Sequence, residues 1–132
     1  MAVIPENSND IQANAFGLLA RRVRATGDGE PIEVHNPVDG SVIGSIPRCR
    51  PVDVLSAVER GRAAQAEWGA LTFRARGRVL ARFHDLVLKR QNEILDIIQL
   101  ENGKTRIQAF EEVLATANTA SYYAYSARGY LK

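Results

Sequence analysis

One cysteine, Cys49, and two histidines, His35 and His84, are all that the 132-residue sequence holds of the side chains most used for thiol and transition-metal chemistry. A lone thiol closes no internal disulfide, so a disulfide-stapled secreted domain is excluded. The opening MAVIPENSND has neither the basic n-region nor the apolar h-region of a signal peptide, which makes a cytoplasmic chain the expectation. No window approaches eighteen uninterrupted apolar residues, so no membrane span is expected. No G-x-G-x-x-G turn follows a strand, and a complete dinucleotide-binding unit is therefore missing.

The residues that are present describe a folded chain. Hydrophobic residues make up 45% and charged residues 24%, close to a soluble globular average and far from a disordered one. The net charge is only +2, but arginine outnumbers lysine fourteen to three. Arg74, Arg78 and Arg82 lie four residues apart on one helix face. No basic run is interleaved with aromatics, so the row reads as a solvated face and no nucleic-acid partner is expected.

The pattern predicts one unit over 1–132: a flexible end at 1–9, a helix at 10–26, a β-hairpin at 31–47 and helices over 51–132. Asp10 is placed to cap the first helix, with Ile11, Ala15, Leu18 and Leu19 on one face and Gly27 and Gly29 beyond its end. Ile32, Val34, Val42, Ile43 and Ile46 flank NPVDG, which contains two turn dipeptides. Pro51 suits the first position of a helix whose apolar stripe starts at Val54, Leu55 and Val58 and runs to Trp68. A second helix starts near Thr72, with Val79, Leu80, Phe83, Leu86 and Val87 expected inside. NEILDIIQL forms a third. Thr105 and Gln108 make a capping box for the last, with Ile107, Phe110, Leu114, Ala117 and Ala124 expected on its inner side.

Several residues suggest chemistry, and most yield to simpler readings. LENGKTR ends in the Gly-Lys-Thr of a phosphate loop, but the position where that loop needs its first glycine is Ile98, within a helix; Gly103 and Thr105 read as a helix stop and a helix cap. Cys49 lies between Arg48 and Arg50 just before a helix start, surroundings that favour thiolate. A catalytic thiol also needs an oriented base, and the spacing puts neither histidine beside it, so Cys49 reads as inert. His84 has no second ligand at metal spacing and reads as a satisfied histidine. Glu111 and Glu112 are adjacent on a helix, point about 100° apart and share no site. Tyr122, Tyr123, Tyr125 and Tyr130 are expected half-buried, with their hydroxyls at the edge.

Taken in order, EVHNPVDGSVIGSIP, a helix ending AAQAEWGAL, RARGRVLARFHDLV, LENGKTR and EEVLATANTASYYAYSA resemble the N-terminal segment of NAD(P)-dependent aldehyde dehydrogenases, over roughly residues 10 to 132. The resemblance implies a mainly α segment with one β-hairpin, the helical portion of an α/β cofactor-binding domain without its Rossmann-type sheet. It implies NAD or NADP in the parent family, with none expected to bind this chain alone. The reaction implied is oxidation of an aldehyde to a carboxylic acid, with the succinate-semialdehyde type as the leading member. In the family a cysteine forms a thiohemiacetal, hydride passes to the nicotinamide, and the thioester is hydrolysed by water that a glutamate activates.

The family's catalytic cysteine, general-base glutamate and Gly-rich loop lie downstream of the segment this chain resembles, and Cys49 does not match the catalytic position. No catalytic or cofactor-binding residue is therefore assigned, and the 132 residues alone are expected to be inactive. Some members hold a structural monovalent cation with carbonyls before the NP and the carboxylate of ENGK. Those positions match Val34, His35 and Glu101, while Glu101 could instead bond a backbone group or a basic side chain. Thr105 stands where the family often has proline. Helices without their sheet expose apolar faces, so a homo-oligomer is expected. The alternative function is a stand-alone helical interaction module that self-associates or pairs with a full-length relative.

Overall fold

The computed structural model describes residues 16–131, so the expected flexible end, Asp10, Ile11 and Ala15 lie outside the described residues. Strand β1, Ile32–His35, pairs antiparallel with β2, Val42–Ile46. Ile32 stands opposite Ile46 and Val34 opposite Gly44, and a bulge interrupts the register between Val34 and His35. The two turn dipeptides act in succession. Asn36 Oδ1 accepts from the Val38 amide at 2.9 Å, and Asp39 Oδ1 accepts from the Ser41 amide at 2.9 Å and the Ser41 hydroxyl at 2.7 Å. Gly40 takes the left-handed φ of +72° that closes the loop.

Four helices follow: α1, Pro51–Ala70; α2, Phe73–Lys89; α3, Gln91–Asn102; and α4, Arg106–Tyr130. Their boundaries follow from local chemistry. Pro51, with no amide hydrogen to lose, opens α1. The Thr72 hydroxyl accepts from the Ala75 amide at 3.2 Å and caps α2. Arg90 is a one-residue break between α2 and α3. Gly103 ends α3 at φ +66°, and Thr105 opens α4, its amide donating to Gln108 Oε1 at 3.2 Å.

The core lies where α4 packs antiparallel along α2 and then α3. Val87, Leu95, Ala109, Val113 and Ala117 form one buried cluster, with Ile94 and Ile98 against it. The inner row of α4 is Ala109, Val113, Ala117 and Ala120, small residues that let the helix axes approach closely. At the far end the approach is closer still: a methyl group added at Gly77 of α2 would lie 2.6 Å from the carbonyl oxygen of Ala124.

The architecture is mainly α with one hairpin, as expected, and Val87 and Ala117 are buried as expected, but the faces otherwise differ in part from the expected ones. Phe110 and Leu114 are exposed, and Ile107 is 75% exposed, whereas Ala109 is fully buried. On α2, Val87 is buried but Val79, Phe83 and Leu86 are exposed. Close helix contact selects the row with the smallest side chains, and the bulky apolar stripes are turned outward. The tyrosines are exposed rather than half-buried. The first helix also ends earlier than expected: the helical segment at 16–20 gives way to a turn at 21–22 and irregular backbone beyond. Beyond it the Thr26 amide donates to Asp53 Oδ1 at 3.0 Å rather than to a helical ladder.

Candidate functional site

The hairpin and the α3–α4 junction meet at Gly103. A methyl group added there would lie 3.1 Å from Pro37 Cγ and 3.6 Å from Val38 Cγ2, so glycine is required both by its φ and by the turn seated on it. The next residue, Lys104, pairs its ammonium with Glu112 on α4. Lys104 therefore braces the start of α4, and the Gly-Lys-Thr of the sequence is a helix stop, a surface ion pair and a helix cap.

This contact makes the end of the hairpin a neighbour of the α3 C-terminus, which carries Glu101. Val34 and His35 stand at the bulge, where the ladder is interrupted and backbone groups are released from regular pairing. The His35 ring is held locally, Nδ1 3.2 Å from the Gly40 carbonyl oxygen and Nε2 3.4 Å from Glu33 Oε2. Among the described residues no three His, Cys, Asp or Glu side chains gather into a metal cluster. Backbone carbonyls with one carboxylate make a different donor set, composed of hard oxygens.

Cys49 is exposed, its sulfur 4.0 Å from the Arg24 carbonyl oxygen, in an open cleft of about 430 Å³ lined by Arg22, Arg24, Asp53, Val54, Ala57 and Arg60. The lining contains no histidine. His84 is half-buried on α2 and bonds the neighbouring Asp85 at 2.9 Å. Glu111 and Glu112 share no partner; Glu112 holds Lys104. Tyr122 donates its hydroxyl to Tyr130 at 3.1 Å and meets Tyr123 edge-on at 5.3 Å. The bond to Tyr130 pushes the Tyr122 phenol above its ordinary value of 10.0.

With this geometry in view, the comparison with known families is direct: the aldehyde dehydrogenase family matches residues 23–132. The chain belongs to that family. It is 30% identical over 101 residues to a glutarate-semialdehyde dehydrogenase of Pseudomonas aeruginosa, covering 76% of this chain and 21% of that protein. It is 29% identical over 97 residues to a succinate-semialdehyde dehydrogenase [NADP(+)] of Escherichia coli, covering 74% of this chain and 20% of the other. Among solved structures it is similar to an NAD-dependent benzaldehyde dehydrogenase from Corynebacterium glutamicum, with TM-score 0.75 and 31% identity over 81% of this chain and 23% of that one. The chain thus spans about a fifth of the length of the aldehyde dehydrogenases it matches.

Two side chains of this aldehyde dehydrogenase segment escaped the sequence reading. Asp53, 5% exposed, accepts from the Thr26 amide and hydroxyl through Oδ1 and from the Arg50 amide at 2.7 Å through Oδ2, binding the 24–30 segment to the start of α1. These bonds, led by the Thr26 hydroxyl, hold its carboxyl below the ordinary 3.8. Arg106, in the first turn of α4, donates to Asp96 at 2.6 Å, Gln99 at 3.0 Å and Asn92 at 3.1 Å, strapping α4 to α3. Only the i,i+3 spacing of Arg50 and Asp53, a helix-start signal, hinted at the first; nothing in the spacing pointed to the second.

Proposed function

We propose that these residues are the N-terminal scaffold of an NAD(P)-dependent aldehyde dehydrogenase oxidising a small semialdehyde of the succinate or glutarate type, and that the 132 residues alone do not turn over. The observation that carries this reading is the agreement in fold, TM-score 0.75 at 31% identity, with the NAD-dependent benzaldehyde dehydrogenase. The semialdehyde class rests on the names of the relatives. In such an enzyme this segment supports the architecture: Gly103 and Thr105 set the angle between α3 and α4, and the hairpin turn locks that corner. The test is a chimaera in which residues 23–132 replace the matching segment of the Escherichia coli succinate-semialdehyde dehydrogenase. We expect a soluble enzyme with kcat/KM within about tenfold of the parent, and no nicotinamide reduction by the 132-residue chain with either cofactor. A soluble but inactive chimaera, or turnover by the chain alone, overturns the proposal.

The carbonyls of Val34 and His35 with the carboxylate of Glu101 would hold a monovalent cation, in keeping with their hard oxygens and with the contact that brings the two segments together. Bound, the cation would supply positive charge that pins the bulge to the α3 terminus. Thermal unfolding in sodium or potassium chloride against an equal concentration of tetramethylammonium chloride checks this. A rise in Tm that Glu101→Gln abolishes is expected; equal Tm values in all three salts rule it out.

A further inference from the structure

Arg22 and Arg24 follow the helical segment at 16–20, and Arg60 lies on α1; all three are exposed, and all three line the open cleft of about 430 Å³ that holds Cys49. The one acidic side chain in that lining is Asp53. Both of its carboxylate oxygens are already engaged, Oδ1 by the Thr26 amide and hydroxyl and Oδ2 by the Arg50 amide. Among the described residues none of Arg22, Arg24 and Arg60 is ion-paired, whereas Arg90 pairs with Glu93 and Arg106 with Asp96. Three guanidiniums thus line one cleft against a single, already satisfied carboxylate, beside the apolar Val54 and Ala57.

We propose that this cleft binds a phosphate group. The first argument is preorganisation. Arg22 and Arg24 come from one wall and Arg60 from the other, and the walls are fixed to each other by the bonds of Asp53 to Thr26 and by the Arg50 guanidinium, which donates to the Thr26 hydroxyl at 2.8 Å. Arg60 is steadied in turn, its guanidinium donating to Ser56 Oγ at 2.8 Å one turn back on α1. A frame already ordered loses little freedom when its ligand arrives.

The second argument is chemistry. A guanidinium fork binds oxyanions bidentately, and a phosphate group, with nearly two charges and three terminal oxygens, answers several forks at once where a carboxylate answers one. The third is completeness. The residues that line the cleft and the bonds that hold it all fall within 22–60, so both walls are supplied by this chain.

Cys49, the one thiol of the sequence, reports on the cleft from inside. Its thiolate displaces iodide from neutral iodoacetamide or anionic iodoacetate, forming a thioether in both cases, so the ratio of the two rates reads the local charge. Inorganic phosphate at about 10 mM is expected to slow the iodoacetate reaction about threefold or more relative to sodium chloride of equal ionic strength. The double variant Arg24→Gln, Arg60→Gln is expected to lose that protection and to react less with iodoacetate relative to iodoacetamide. Glycerol phosphate, run in parallel, separates the two sources of the group: protection at the lower concentration by the ester assigns a phosphorylated small molecule, and by the inorganic ion the free anion. Equal rates in phosphate and chloride overturn the proposal, and so does protection that survives the double variant. Should the double variant lose helicity, amide chemical shifts of the unaltered chain decide: changes on adding phosphate that centre on 22–26 and 49–60 support the site, and changes that are absent or spread over the chain refute it.

Discussion

Gly61 and Gly77 are both helical glycines, yet the space around them differs. A methyl group at Gly61 would meet nothing within 4 Å, and one at Gly77 would sit 2.6 Å from the Ala124 carbonyl oxygen. Gly61→Ala is therefore expected to stabilise by up to about 1 kcal/mol through helix propensity. Gly77→Ala forces α2 and α4 apart and is expected to cost about 1 to 3 kcal/mol, or roughly 4 to 10 °C in Tm. Thermal unfolding of the two variants checks the opposite signs; equal shifts would mean that the α2–α4 approach is looser than described. These glycines are not separable in the sequence, because close backbone approach is a property of a partner more than forty residues away. Gly103 is legible there, since a helix stop is local.

At the level of elements, α1 and α4 are held in opposite ways. Helix α4 is gripped along its length by α2 and α3. Helix α1 buries one residue, Asp53, and has no broad packing partner among the described elements; Leu55 on its apolar stripe is 65% exposed. Its N-terminus thus depends on a carboxylate. Because the folded pKa of Asp53 lies below its ordinary 3.8, the stabilisation is complete above that value and is lost as pH falls through the lower folded value. Tm measured from pH 7 down to pH 3 should fall less in Asp53→Asn, which lacks the charge at every pH, than in the unaltered chain. Identical profiles would remove Asp53 from the account. The helix, strand and cap positions were legible because each is set within a few residues. The buried faces were legible only in part, because α4 carries a small-residue row beside a bulky apolar stripe, and periodicity weights the stripe; the choice is made by helix-to-helix distance, which no single helix encodes.

Across the whole molecule, burial is concentrated where α4 meets α2 and α3. Hydrogen exchange should be slowest at Val113 and Ala117 in the middle of α4 and fast along α1 beyond its first turn, and uniform protection would contradict this. The molecule is held together by an asymmetry of length. At 1.5 Å per residue, the 25 residues of α4 run about 37 Å, against about 26 Å for the 17 of α2 and about 18 Å for the 12 of α3. One unbroken helix thus lies alongside two shorter ones that meet at Arg90, as a splint lies across a fracture. The two shorter helices touch each other sparingly, so the free energy of docking one onto α4 is conveyed to the other almost wholly through the splint. Their melting is thereby expected to be coupled into a single event.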